Sequence, residues 1–168
     1  MPSLLKWSDS LFLSVASIFS ASYFVCVVIQ VVCRYVLEMP ISWTEETARY
    51  LFVWAALLAA AVSVGRNDQF NIPIFADQLG PRARYWLELL VVALGFFFAM
   101  VMTIYGYRTA SRLFYAISPV IPIPQGAVYL VIPIAGLYMA VHLAWRFIGL
   151  VSGRIDPSRT EPTEGSAW

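Results

Sequence analysis

Charge is what this sequence has least of. Its 168 residues include 11 Lys and Arg, 10 Asp and Glu and a single His, so 12% of the chain is charged against 60% apolar. Soluble domains run at about 25% charged and about 45–50% apolar, and so few ionisable side chains cannot clothe a water-facing surface. Acids and bases nearly cancel, to a formal net charge of +1. There is no basic footprint for nucleic acid and no charge excess of a disordered chain. Two cysteines exclude a disulfide scaffold. What remains is an integral membrane protein.

Chemistry is scarce as well. A haem held by two histidines is excluded because only His142 exists. His142 is also the sole possible base for a serine hydrolase, and no Gly-x-Ser-x-Gly elbow accompanies it. Cys26 and Cys33 lie seven residues apart on one helical run, about 10 Å along its axis, too far to bridge, and read as small apolar packing residues. No metal-ligand set, phosphate loop or dinucleotide fingerprint occurs. No catalytic, metal or cofactor-binding residue is assigned, and no enzymatic activity is expected. His142 reads as a helix-end residue near Trp145 and Arg146, bonding a neighbouring helix or a headgroup, with a proton relay as the sharper alternative.

What is present is four long apolar runs. A bilayer crossing needs about 20 helical residues. Leu11 to Val32, Leu89 to Tyr107 and Gly126 to Trp145 are uncharged and long enough. The fourth run, Tyr50 to Gly65, is too short unless its helix starts earlier. Pro40 followed by Ser42 and, three residues on, Glu45 supplies that start as a breaker and a capping box. The expected fold is therefore all-α, with spans at about 11–33, 42–65, 86–107 and 125–148 in one membrane domain, residues 1–151. A disordered cytoplasmic tail is expected over 152–168. The first run continues unbroken past Ser20-Ala21-Ser22 and reads as a span, not a cleaved leader. Seven Lys and Arg on one side against four on the other put both termini in the cytoplasm. Trp7, Trp43, Trp86 and Trp145 mark the interfaces. Pro73 to Leu79 can form a short turn of helix. Arg108 to Ser118 reads as an amphipathic extension lying at the interface, stopped by Pro119, Pro122 and Pro124, and Pro133 is expected to kink the last helix.

Small residues recur every four positions: Gly136, Ala140 and Ala144; Gly95 and Ala99; Ser17 and Ala21; Ala16 and Ser20. In lipid such seams let helices approach closely. On the second helix Glu45, Arg49, Phe52, Ala56, Ala59, Ala60 and Ser63 fall within about 60° of one direction. The Glu45–Arg49 pair, in the favourable order, thus sits above a small-residue seam. Glu46 points about 100° away, with Tyr50, Val53, Leu57 and Val64, and has no partner assigned on its own face. Two readings stand for it: it reaches the headgroups or Arg34 across the first loop, or it faces another subunit or a periplasmic protein. From Leu11 to Leu150 all other charges are read as bracketing spans or filling loops, which leaves one charged cluster, at the outer end.

The stretch Arg34-Tyr35, then Pro40-Ile41-Ser42-Trp43-Thr44-Glu45-Glu46-Thr47-Ala48-Arg49-Tyr50, resembles the small membrane subunit, DctQ type, of tripartite ATP-independent periplasmic (TRAP) transporters. The resemblance extends from Leu11 to about Gly149 and departs from the family pattern at Gln69 and Pro73. It implies a non-catalytic scaffold in the bacterial inner membrane. Its implied partners are a large many-span subunit, a periplasmic substrate-binding protein and the lipid bilayer, for sodium-driven uptake of an organic acid. Interface residues with the large subunit would be Arg34, Glu45, Arg49, Ala56 and Ser63, and Glu46 is the docking candidate for the periplasmic protein. Without the resemblance, a self-sufficient homo-oligomeric channel or exporter, with Glu46 as a coupling acid, fits the same composition.

Overall fold

The computed structural model describes residues 3–39, 41–66 and 81–152. Helix α1 is Ser3–Tyr35, α2 is Ser42–Arg66, α3 is Pro81–Leu113, α4 is the short Gln125–Tyr129 and α5 is Val131–Val151. The turn of helix read at Pro73 to Leu79 and the tail beyond Ser152 lie outside the described residues. Four stretches, Trp7–Tyr35, Ser42–Arg66, Arg82–Leu113 and Gln125–Val151, are long and apolar enough to cross a membrane. The protein is a multi-pass membrane protein, all-α with four such spans among the described residues.

The helix ends follow local chemistry. Ser42 opens α2, but the first-turn hydroxyl bond among the described residues is Thr44 Oγ1 donating to the Ile41 carbonyl at 2.7 Å. From Arg108 the extension begins as a continuation of α3, which runs unbroken to Leu113. Gly106 does not interrupt it, because Ile132 and Pro133 pack directly on that glycine. The last span is interrupted at Leu130, between α4 and α5, without stopping. Leu130 keeps right-handed angles (φ −60°, ψ −23°), and its N–H still reaches the Gly126 carbonyl at 3.1 Å. Pro133 has no N–H to return to Tyr129 and its ring crowds that carbonyl, which places the irregularity one turn before the proline.

The helices pack in the order α1, α2, α5, α3. Half of the apolar stretch of the last span is buried and 33% of the second's, against 6% and 11% for the first and third. So α2 and α5 form the middle, and α1 and α3 flank them with most of their surface free for lipid.

Association of α3 with α5 rests on missing side chains. A Cβ added at Gly136 would stand 2.7 Å from Thr103 Oγ1 and 2.9 Å from the Thr103 nitrogen. One added at Gly126 would stand 2.7 Å from the Phe114 nitrogen. Val92, Ala99, Ala110 and Ala135 are fully enclosed along this seam. The Gly136–Ala140 repeat therefore works inside the chain, whereas Ser17 and Ala21 on α1 face outward. Helix α1 turns one stripe inward, at Asp9, Phe12, Ala16, Phe19 and Tyr23. Phe12 stacks on Tyr138 with centroids 4.4 Å apart, Phe19 meets Trp54 edge-on at 5.6 Å and Tyr23 meets Phe52 at 5.4 Å.

Substituting Gly126 or Gly136 by Ala is expected to lower the thermal midpoint of the detergent-solubilised chain, each at an overpacking cost of about 1–3 kcal/mol. Gly95→Ala, placed where a Cβ meets open space, is expected to leave the midpoint unchanged or raise it. Scanning fluorimetry of the three variants checks this.

Candidate functional sites at the two polar ends of the bundle

At one end the start of α2 meets the connection between α3 and α4. That connection is pinned by Ser118 N–H to the Ile123 carbonyl at 3.1 Å and Gln125 N–H to the Ala116 carbonyl at 2.8 Å, with an isolated bridge between Ile117 and Pro124. The turn delivers the buried Ser118 hydroxyl to Glu46. Ser118 donates to Glu46 Oε1, Tyr50 donates to the same oxygen at 2.5 Å, and the two hydroxyls are 2.9 Å apart. The other oxygen, Oε2, is buried without a partner.

This corrects the reading that Glu46 has no partner on its own face: Tyr50, one turn on, carries the hydroxyl that serves it. Nor does Glu46 pair with Arg34, whose guanidinium lies 6.0 Å from the centre of the Tyr35 ring. The physical reason is reach. Tyr50 and Ser118 offer two donors to Oε1, so that oxygen is satisfied without the side chain leaving α2's half-buried side.

Glu45 and Arg49 do pair, at 3.5 Å, but with side chains 63% and 68% exposed. Phe52, Ala56 and Ala59 below them are also exposed, and Ser63 is half-buried. This face of α2 is thus turned away from the rest of the chain, while Thr44, Ala48, Ala55, Leu58, Ala61 and Val62 face inward. Beside Tyr50 an open apolar groove of about 290 Å³ is lined by Phe19, Thr47, Leu51, Trp54 and Ile121.

The opposite end holds polar groups that sequence reasoning assigned to span flanks. Asp9 is 6% exposed and accepts a hydrogen bond from the Tyr138 hydroxyl. His142, also 6% exposed, has Nε2 3.5 Å from Asp9 Oδ1, and its ring packs against Gly65. One turn further, Arg146 donates to Glu88, with both side chains at most 20% exposed. Beyond that, the Tyr85 hydroxyl donates to the Leu150 carbonyl at 3.5 Å. Tyr138, His142, Arg146 and Leu150 are spaced four residues apart, so one edge of α5 carries a polar ladder that touches α1, α2 and α3 in turn.

The expectation of a single charged cluster therefore fails: a second, better buried one occupies the other end. His142 does bond a neighbouring helix, but from inside the bundle and not at a headgroup. The signal for Asp9 was available, because it lies on the same inward stripe as Phe12, Ala16 and Phe19. Glu88 and Arg146 carried a weaker signal, opposite charges at the same depth of two spans.

Among the described residues no three of His, Cys, Asp and Glu come close enough to hold a metal ion. The two cysteines are free thiols, Cys33 buried and Cys26 half-buried. The buried polar groups are spent on contacts between elements, which defines the class: a multi-span membrane protein.

Comparison with known proteins carries this to a family. Residues 23–153 match the family model described as tripartite ATP-independent periplasmic transporters, DctQ component, and the chain belongs to that family. It is 27% identical over 132 residues to a protein of Haemophilus influenzae named as a TRAP transporter small permease protein, covering 76% of this chain and 79% of the relative. It is 27% identical over 127 residues to the sialic acid TRAP transporter small permease protein SiaQ of Vibrio cholerae, covering 73% and 70%. It also matches the isethionate TRAP transporter permease protein DctMQ of Oleidesulfovibrio alaskensis, 28% identical over 111 residues, which are 65% of this chain and 18% of that longer one. The chain is thus a transporter permease component.

The two charged pairs should differ sharply in worth. Arg146→Ala leaves the enclosed Glu88 unpaired and is expected to destabilise the chain by about 1–3 kcal/mol, with partial recovery in Glu88→Gln/Arg146→Ala. Arg49→Ala is expected to change stability by less than about 0.5 kcal/mol. A denaturation series on the purified chain distinguishes them.

Proposed function

We propose that this chain is the non-catalytic small subunit of a TRAP transporter in the bacterial inner membrane. It braces the static part of a large many-span subunit and helps to dock a periplasmic substrate-binding protein. Both termini lie in the cytoplasm, which sets the Glu46 end outside. Family membership supports the general role. The observation that carries the placement is the outward face of α2: Glu45, Arg49, Ala56 and Ala59 are exposed, although α2 is a central helix. Small exposed residues favour close helix packing in lipid, and a pair worth little when exposed gains strength once a partner excludes water from it.

Glu46 has a different part. Its bonds to Tyr50 and Ser118 hold the connection after α3 against α2, and so set the shape of the outer surface that a docking protein meets. Relatives named for sialic acid and isethionate, both acids, support an organic acid as the solute, with a sodium gradient as the driving force.

Glu45→Ala, Arg49→Ala and Ala56→Trp are each expected to reduce co-purification with the large subunit, with the isolated chain's stability little changed. Normal yields of the complex in all three would remove α2 from the interface. Glu46→Gln is expected to leave assembly intact and lower binding-protein-dependent uptake in proteoliposomes, and undiminished uptake would end its docking role. Solute flux through this chain reconstituted alone would instead favour a self-sufficient channel.

A further inference from the structure

The pocket formed by Asp9, Tyr138 and His142 has an unfilled requirement. Asp9 receives one hydroxyl bond, from Tyr138, while His142 Nε2 is buried without a hydrogen-bond partner and stands 3.5 Å from the same carboxylate oxygen. The other ring nitrogen is committed. Gly65 is the penultimate residue of α2, so its carbonyl is among the last four with no N–H of its own helix to accept from. His142 bonds this backbone, and Nδ1 is the ring atom that a Cβ added at Gly65 would meet first, at 3.0 Å. An Nδ1–H donated to that carbonyl fixes the neutral ring in the tautomer whose Nε2 lone pair points at Asp9. A lone pair facing a carboxylate, both out of water, is a repulsive and poorly solvated arrangement.

One added proton removes the conflict. Placed on Nε2 it makes an imidazolium–carboxylate pair, and placed on Asp9 it makes a carboxylic acid donating to Nε2. We propose that this pocket binds a single proton shared by Asp9 and His142, and that the proton keeps α1 seated on α2 and α5. The groups around the pair make it a site and not a surface contact. Asp9 and Ser8 enter from α1, Ser8 bonding Tyr138. The Gly65 backbone and Arg66 enter from α2, Arg66 close enough to act on Tyr138 through charge. Tyr138 and His142 come from α5, and the nearest charge beyond them on that helix, Arg146, is taken up by Glu88 of α3. Helix α1 depends on the site because so little of it is buried. The inference rests on the chain's own geometry and holds whatever the partner subunit is.

The sequence makes the test direct, since His142 is the only histidine. The full chain, purified through a histidine-free tag and placed in nanodiscs, is labelled with 15N-histidine and titrated. Expected is a ring protonated at Nδ1 throughout, with Nε2 hydrogen-bonded near neutral pH and losing that bond in one step as the pH is raised. A neutral ring protonated at Nε2 with Nδ1 bare would overturn the proposal, because the ring would then bring its own hydrogen to Asp9. Hydrogen exchange over residues 3–16, corrected for intrinsic rates, supplies the second readout. Wild type is expected to exchange about tenfold faster above the transition than below it. Asp9→Asn, whose amide donates to Nε2 without a titrating proton, is expected to stay slow at both pH values, and Asp9→Ala to be fast at both. Identical pH profiles for wild type and Asp9→Asn would also overturn the proposal. Should Asp9→Asn fail to fold, the spectrum of the wild type alone decides.

Discussion

In a bilayer, helices gain nothing by hiding apolar surface from one another, because the lipid they displace is as apolar as they are. Two kinds of contact in this bundle answer that constraint. Either side chains are removed so that backbones approach, as at Gly126 against Ala110 and Phe114 and at Gly136 against Thr103, or a polar group crosses between helices. Helix α5 does both. Its glycine side lies against α3, and its polar ladder of Tyr138, His142 and Arg146 reaches α1, α2 and α3. A helix with that many commitments cannot be at the edge, which is why the last span is the most buried.

The two ends of the bundle use charge differently. At the Asp9 end, acids and bases are drawn inside and face groups on other helices, so polar contact there serves cohesion. At the Glu46 end, one carboxylate is tied down by two hydroxyls while its sequence neighbour Glu45 and its own ion partner Arg49 remain exposed. The difference of one residue, 100° around the helix, separates a group that fixes the loop from a group left free to meet another protein. A chain whose Asp9 end is closed and whose Glu46 end keeps an exposed charged pair above a small-residue face has the surface that the proposed bracing role needs.

Several features were legible because they depend only on neighbours in the chain. The four spans follow from run lengths and the break after Pro40, and the start of α2 at Ser42 follows from the need for a longer helix than the uncharged run allows. The outward direction of Glu45, Arg49 and Ala56 follows from helical periodicity. Other features were not. Ser118 lies 72 residues from Glu46, and nothing local announces that a turn rich in proline will return it to α2. Asp9 looked like the flank of a span because its distance from the membrane centre is the same whether it faces water or α5.

Sequence alone determined the class of the protein, its four spans, its family and the outward direction of Glu45, Arg49 and Ala56 on α2, since composition and a 3.6-residue period need no tertiary knowledge. Only the tertiary structure decided which of its few charges are inside. Whether an ionisable group is buried depends on what lies opposite, and opposite Asp9 is His142, 133 positions along the chain by residue number and within 3.5 Å in space.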